Sequence, residues 1–217
     1  MNPESGAEVF VVDDDPSVQR ALRRLLTTNG LPARVFCSAK EFLEQGASVP
    51  AVGCLVLDVQ MPGLSGLDLQ AELQQRGMRL PIVFITGQAT VPMSVQAMKQ
   101  GAVDFLQKPF DGQTLIATIR KAIARSREQA AAAHECQDLE QRFESLSLRE
   151  REVLRLVVKG LLNKQIAFEL GIVEKTVKVH RARVMDKMQA DSLAELVRMA
   201  ETLRLPLCSS SVISSLE

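Results

Sequence analysis

No apolar run in the chain approaches the roughly 18 residues that a membrane-spanning helix needs. Met1 to Glu8 also lack the basic and apolar blocks of a secretory signal. A soluble, cytoplasmic protein with no membrane partner is therefore expected. Cys37, Cys54, Cys136 and Cys208 are scattered, with no C-x-x-C pair and no His at ligand spacing, so neither a zinc site nor a disulfide framework is suggested. A P-loop, a dinucleotide fingerprint and a Ser-His-Asp order are all missing, which leaves nothing to support an enzyme acting on other molecules. No internal repeat is visible. An excess of one charge sign is lacking as well, at 26 Lys and Arg against 26 Asp and Glu. That balance argues against nucleic acid only until the charge is divided along the chain. From Ser147 to Arg204 there are twelve basic residues against eight acidic, so the basicity collects near the C-terminus.

With 217 residues, 46% of them hydrophobic, the chain can form two cores of ordinary domain size. Apolar runs at Val9 to Val12, Cys54 to Leu57 and Pro81 to Ile85, with weaker ones at Ala33 to Phe36 and Asp104 to Leu106, alternate with helix-like stretches. This is the pattern of a parallel sheet covered on both faces. The intervening helices are expected over Ser17 to Asn29, Lys40 to Gln45, Leu67 to Gln75, Met93 to Gln100 and from Gln113 onward. Ser38 to Glu41 forms a capping box, and Asn29-Gly30 a helix stop. From Gln113 to Glu144 no breaker occurs, so the last helix could extend on the order of 45 Å and serve as both domain element and linker. Within it Ala132, Cys136, Leu139, Phe143 and Leu146 form an a/d seam two heptads long. A dimeric coiled coil usually needs roughly three or four heptads, so packing within its own domain is favoured over dimerisation. After Ser147 only short helices follow: Leu148 to Lys159, Lys164 to Leu170, Glu174 to Gln189 and Leu193 to Leu203. The Ser-rich tail, 206–217, reads as disordered.

In an open parallel sheet the functional site lies beyond the C-terminal ends of the strands, where strand order reverses. Asp13 and Asp14 follow the first strand and Asp58 the third. Clustered carboxylates raise the cost of one another's ionisation unless a cation joins them, and Mg²⁺, hard and oxygen-seeking, suits such a set, with Mn²⁺ as a substitute. A carboxylate can also attack phosphorus to give an acyl phosphate, which makes Asp58 the candidate nucleophile. Thr86 after the fourth strand offers a hydroxyl, and Lys108 after the fifth a compact positive charge. Each piece has a plainer reading: Asp13 to Asp15 as a helix cap, Asp58 as loop chemistry before Met61-Pro62-Gly63, Lys108-Pro109 as a turn. Together, four strand ends carrying Asp-Asp, Asp, Thr and Lys form a set that independent loops would rarely deliver.

The segments VVDDD, LVLDVQMPGLSG, VFITG and FLQKPF resemble the receiver domain of two-component response regulators, over about residues 7 to 125. The resemblance implies Asp58 as the site phosphorylated by a sensor histidine kinase, and Asp13, Asp14, Asp58 and the Gln60 backbone carbonyl around Mg²⁺. It implies contacts from Thr86 and Lys108 to the phosphoryl group, and Thr86 and Phe105 as the switch pair. Gln60 and Gln88 stand where the family sets the lifetime of the phosphate, and Gln88-Ala89-Thr90 departs from the His-Gly-Asp common in the nearest subfamily. The peptide before Pro109 is often cis in the family.

On a helical wheel Val177, Val184 and Met188 share one side of the Glu174 helix, with Lys175, Lys178, Val179 and Ala182 opposite. One face packs and the other can enter a groove. His180 falls near the packed side and reads as a core histidine. Arg181 and Arg183 are angled toward phosphates. Asn163 can cap the preceding helix, whose first-turn amides could meet a DNA phosphate. A charged four-helix scaffold with no nucleic-acid role is the plain alternative. The stretch LSLREREVLRLVVKGLLNKQIAFELGIVEKTVKVHRARVMDKM resembles the helix-turn-helix of the NarL/FixJ class, also called LuxR-type, nearest the FixJ, StyR and nodulation-regulator branch. What the resemblance implies is base contact by Lys178 and Val179, with Asn163, Lys164, Lys175, Thr176, Arg181, Ala182 and Arg183 around them. Val173 replaces the Ser that often caps this helix, a loss on the order of 1 kcal/mol if nothing compensates. The last helix pairs subunits in the family, implying an inverted-repeat site.

The expected architecture is α/β: a doubly wound, five-stranded parallel, flavodoxin-like receiver at 1–125, a helical linker at 126–144, and an all-α four-helix DNA-binding domain at 145–205. The expected function is a phosphorylation-switched transcription regulator that forms a homodimer and binds double-stranded DNA, with RNA polymerase as a further partner. The alternative is a constitutive DNA-binding regulator whose receiver only dimerises.

Overall fold

Residues 6–45 and 52–203 are described in the computed structural model of the chain, so the expected disordered tail at 206–217 lies outside the described residues. The five apolar runs become β1 (Glu8–Val12), β2 (Ala33–Phe36), β3 (Gly53–Asp58), β4 (Ile82–Thr86) and β5 (Asp104–Gln107). All pair in parallel, in the order β2-β1-β3-β4-β5. Between them lie α1 (Pro16–Thr28), α2 (Ala39–Gln45), α3 (Gly66–Gln75), α4 (Val91–Lys99) and α5 (Gly112–Glu144). Val9, Val11, Cys54, Val56, Val83 and Ile85 face α1 and α5, which contribute Leu22, Leu26, Leu115 and Ile119. Phe10, Val12, Leu55, Leu57 and Phe84 face Phe42, Leu69, Leu73 and Ala97 on α2, α3 and α4. Burial on both faces is why these strands read as unbroken apolar runs without alternation.

Helix starts show what the sequence reading misjudged. α1 begins at Pro16 with Asp15 as its cap, the carboxylate accepting from Ser17 N at 2.7 Å. Proline suits the first helical turn, where its missing N–H costs nothing. α3 begins at Gly66, one residue early, behind a Ser65–Asp68 capping box that uses Asp in place of the usual Glu or Gln. α4 starts at Val91 behind Thr90, two residues early. The Ser38 box forms in a shifted version, with Glu41 accepting from the Cys37 amide at 2.7 Å.

The chain divides into two compact units, 1–131 and 132–217, with α5 running from the first into the second. α5 stays on the sheet as far as buried Ser126, whose hydroxyl accepts from Gly53 N at 3.1 Å.

In the second unit the end of α5 is followed by α6 (Leu148–Val158), α7 (Asn163–Leu170), α8 (Glu174–Met188) and α9 (Leu193–Thr202). Their core joins Val153, Leu154, Ile166, Val177, Val184 and Leu196. Of the expected seam, Leu139 on α5 is buried, Leu146 just past its end enters this core and Phe143 packs on it, while Ala132 is exposed and Cys136 half-buried. Gly171, at φ +64°, closes α7 in the left-handed conformation that glycine adopts without a Cβ penalty. Arginines serve the helix ends. Arg149 donates to Leu170 O at 2.6 Å and Arg142 to Met188 O at 3.3 Å, while Arg151 lies over the Phe143 ring and donates to Leu146 O.

Glu150 anchors the start of α6. Its buried carboxylate accepts from Lys187 Nζ at 2.7 Å and from Ser147 N at 2.9 Å. The Lys187 bond above all, then the Ser147 amide, holds its pKa below the usual carboxylate value. A folded-state pKa below the unfolded one gives stability that is present above pH 4.5 and lost as pH falls through the folded value. Lys187 is partly solvated, which screens the pair. Glu150→Gln should therefore cost the second unit about 1 kcal/mol at neutral pH, and the difference should vanish in acid. Thermal unfolding followed by circular dichroism across pH checks this.

Candidate functional site

β1 and β3 are neighbours in the sheet although β2 lies between them in sequence, so strand order reverses there. Their C-terminal ends bring Asp13 and Asp58 into one place. Both are buried, at 1% and 5% exposure. Lys108 Nζ lies between them, 2.7 Å from Asp13 Oδ2 and 2.8 Å from Asp58 Oδ1. Lys108 itself is set by its neighbour strand, its amide donating to Thr86 O at 2.7 Å, and the Lys108–Pro109 peptide is cis. The remaining carboxylate oxygens are also used: Asp13 Oδ1 accepts from Asp15 N at 2.9 Å and Asp58 Oδ2 from Gln60 N at 2.8 Å.

The three consecutive aspartates thus divide their work. Asp13 is the buried partner of Lys108, Asp14 stays exposed, and Asp15 caps α1. Asp14 and Gln60 line one open cavity of about 570 Å³ with Met61 and Met93. Among the described residues no three His, Cys, Asp or Glu side chains are gathered as a metal cluster. Asp14 stands apart from the buried pair, and Lys108 holds the space between Asp13 and Asp58. The donor set is nevertheless hard and acidic, with Asp14 and Gln60 lining the same open cavity, and so fits Mg²⁺.

Thr86 is fully buried at the end of β4, next in line after the Asp58 and Ile85 pair in the ladder. Its hydroxyl donates to Gln88 O at 3.2 Å and accepts from Gln88 N at 3.3 Å. Phe105 pairs with Phe84 across β4 and β5, ring centroids 6.2 Å apart, and is half-buried against the core.

Gly66 was not singled out in the sequence. A Cβ there would run into the Asp58 carbonyl oxygen and press on Val59 Cα, and Gly66 N donates to Val59 O at 3.0 Å. The start of α3 therefore packs directly on the backbone that carries Asp58. A glycine in the first helical position, where its flexibility is a cost, was the available signal. Gln19, donating to Asp13 O at 2.6 Å, had no signal of its own.

Burial pushes the Asp58 pKa up, against the Lys108 hydrogen bond and charge that pull it down, while Asp13 adds to the rise. Burial alone would lower Lys108, but its bonds to Asp13 and Asp58 hold it above the ordinary value. Two carboxylates share one ammonium, so Asp58 keeps an unfavourable charge. A raised folded-state pKa means stability that is present at low pH and lost as pH rises through the folded value. Asp58→Asn should thus stabilise the first unit at neutral pH, and the gain should shrink toward acid. Calorimetric melts of both proteins at several pH values read this directly.

On α8, Val177, Val184 and Met188 are fully buried, while Lys175, Lys178, Val179, Ala182 and Arg183 are exposed. Thr176, His180 and Arg181 are half-buried, and Lys178 lies 3.5 Å from Glu174. Val173 precedes α8 with no side-chain cap. Lys164 is exposed on α7. Asn163 requires a correction: it does not cap α7. Leu162 occupies the cap position, its amide satisfied by Gln165 Oε1 at 2.8 Å, and Asn163 is the first helical residue. Its Oδ1 instead accepts from Arg181 at 3.2 Å, tying the two helices of the turn together. Phe168, 92% exposed on α7, was not anticipated.

Comparison with known proteins follows this division. The response regulator receiver domain model matches residues 9–120, and the model for bacterial regulatory proteins of the luxR family matches residues 144–200. Nodulation protein W of Bradyrhizobium diazoefficiens is 51% identical over 198 residues, covering 91% of this chain and 86% of that protein. Transcriptional regulatory protein FixJ of Azorhizobium caulinodans is 48% identical over 198 residues, covering 91% and 93%. The solved response regulator StyR is 48% identical, with a TM-score of 0.81 over 90% of this chain and 98% of that one. The chain belongs to the two-component response regulators in which a receiver domain is joined to a LuxR-type DNA-binding domain, and it is a DNA-binding transcription regulator.

Proposed function

We propose that Asp58 is the phosphoacceptor, that a sensor histidine kinase is the donor, and that phosphorylation pairs receivers and thereby strengthens promoter binding. The observation that carries this reading is the buried Asp58 carboxylate held beside Asp13 by Lys108 Nζ. An Asp58 oxygen attacks the phosphorus of phosphohistidine. The new P–O bond forms as the P–N bond breaks, and its electron pair leaves with the imidazole nitrogen of the kinase. Asp13, Asp14, Asp58 and the Gln60 carbonyl would hold Mg²⁺, with Mn²⁺ as a substitute. Once bound, the ion neutralises charge on the phosphoryl oxygens. Lys108 exchanges its bond to Asp58 for one to a phosphoryl oxygen. Thr86 turns its hydroxyl from Gln88 O to another, and Phe105 moves into the space that Thr86 leaves. The only chemistry is this self-modification and its slow hydrolysis.

α4 lies beside β5 and exposes Val91, Val95 and Met98, an apolar surface next to Phe105 that supports pairing of two receivers. Pairing brings two α8 helices to one DNA, which suits an inverted repeat. Lys178 and Val179 meet bases, with Lys175, Thr176, Ala182 and Arg183 beside them; Lys164, Asn163 and Arg181 lie toward the backbone. RNA polymerase is a further partner at the promoter. The working division is a receiver at 1–125, a linker at 126–144 and a DNA-binding domain at 145–205, acting in the cytoplasm.

Incubation with a small acyl-phosphate donor and Mg²⁺ should add one phosphoryl group, shift sedimentation from monomer to dimer and raise affinity for selected DNA. Asp58→Asn should do none of these. An Asp58→Asn protein that keeps a full promoter response would sink the reading.

For the DNA face, Lys178→Ala should weaken selected sites by about 1–3 kcal/mol and relax preference at one base pair. Lys164→Ala should weaken all sequences alike and reduce the salt slope by about one. Binding isotherms on selected and scrambled duplexes at several salt concentrations separate the two.

A further inference from the structure

A second cavity in the first unit, of about 370 Å³, opens at the amino-terminal end of β4. Thr86 closes the opposite end of that strand, so this cavity is separate from the carboxylate site. Its walls come from the second half of α3, the loop that follows it, the end of α4 and the outer part of α5.

The lining includes no Asp or Glu, yet it carries two guanidinium groups, Arg79 and Arg125. Neither has a hydrogen-bond or ion-pair partner among the described residues. Other arginines of the unit have a carboxylate within reach, as Arg76 has Glu72 at 2.7 Å and Arg34 has Glu8 at 3.0 Å. Arg79 and Arg125 both line one concave surface, and a guanidinium can donate two parallel N–H bonds to a planar carboxylate.

Between the arginines the floor is apolar, made by Leu73, Met78, Leu80, Pro81 and Ile82. The wall toward α4 is built by amides. Gln70 Nε2 donates to Ala97 O at 3.3 Å and Gln100 O at 3.1 Å, and Gln74 donates to Gln100 O as well. These bonds join α3 to the last carbonyls of α4, so the cavity is a fixed feature of the packing. The same wall contains two buried amide oxygens, Gln70 Oε1 and Gln100 Oε1, that lack a donor among the described residues. Buried acceptors of that kind are rare in folded proteins, and a rotation of the Gln100 amide, which takes no part in these bonds, would offer its oxygen to a hydroxyl on a ligand.

We propose that this cavity binds a small organic carboxylate with a flat apolar body and a hydroxyl at its far end. The carboxylate pairs with Arg79 and Arg125, the body lies on Leu73, Met78 and Leu80, and the hydroxyl faces the Gln100 amide. The volume is within the usual range for small-molecule sites, roughly 300–1,000 Å³.

The test uses the full, unphosphorylated chain and 4-hydroxybenzoate as the probe, with 4-hydroxybenzamide as its uncharged counterpart. The protein has no Trp or Tyr, so the near-ultraviolet dichroism of the bound probe is read against a low background, with calorimetry alongside. Saturable binding is expected, weakened tenfold or more in Arg125→Ala and in Arg79→Ala, and weaker by a similar factor for the benzamide. Both arginines are exposed, so the variants should keep the wild-type fold, checked by far-ultraviolet dichroism. No saturation at millimolar probe, equal affinity for the amide, or binding untouched by both substitutions would each overturn the proposal. None of these readouts involves Asp58, so failure here leaves the phosphoacceptor reading where it stands.

Discussion

Lys108 is the constraint around which the first unit is organised. One ammonium bridges Asp13 and Asp58, whose positions in the chain are far apart and whose side chains are almost wholly buried. Only a parallel sheet with β1 beside β3 and β5 at the far edge brings those three strand ends to one side. Burying two carboxylates is costly, and one cation does not fully relieve it, as the raised pKa of Asp58 records. The arrangement is therefore held in place by its surroundings: the amides of Asp15 and Gln60 on the carboxylates, Gln19 on the Asp13 carbonyl, and Gly66 against the Asp58 backbone. The site keeps an excess of negative charge around a single ammonium group.

The second unit solves a different problem, that of freeing one helix face. α8 leaves Lys175, Lys178, Val179 and Ala182 exposed, so its hold on the unit rests on Val177, Val184 and Met188 and on polar bonds at its ends. Lys187 reaches Glu150 and Ser145 O, and Arg142 reaches Met188 O, fastening the C-terminal half of α8 to α6 and to the end of α5. Arg181 to Asn163 fastens its N-terminal half to α7. Val173 gives α8 no side-chain cap, so its first turn is held by the burial of Val177 against Ile166 and Ala167.

Much of this was legible in the sequence, for a physical reason. Strands buried on both faces are continuous apolar runs, and parallel strand ends carry the site, so Asp13, Asp58, Thr86 and Lys108 could be read from position alone. The wheel of α8 was equally direct, because burial of Val177, Val184 and Met188 fixes which residues remain outside. What escaped were choices made between near-equal local options. Whether Asp13, Asp14 or Asp15 caps α1 depends on which carboxylate meets Lys108, a contact across 95 residues. Asn163 is as good a cap as any residue by type, but Gln165 satisfied the Leu162 amide and left the Asn163 oxygen to Arg181. The need for glycine at 66 arises only when α3 is laid against β3.

The two ends of β4 carry opposite electrostatics, and the fold explains why both can exist in one small unit. At the C-terminal end the acidic groups converge because loops after parallel strands open on the same side. At the N-terminal end the loops arrive from helices, and the helix end they leave there is α4's, whose last carbonyls carry partial negative charge. Gln70 and Gln74 satisfy part of that charge, while Arg79 and Arg125 line the same cavity with no carboxylate partner among the described residues. The same short helix thus exposes apolar Val95 and Met98 on its surface and has its end fixed by α3. Any displacement of α4 that begins near Thr86 must either break the bonds of Gln70 or carry α3 along, and α3 begins at Gly66, against Asp58 itself. The backbone that carries Asp58, α3 and the end of α4 are therefore joined in one unbroken chain of contacts.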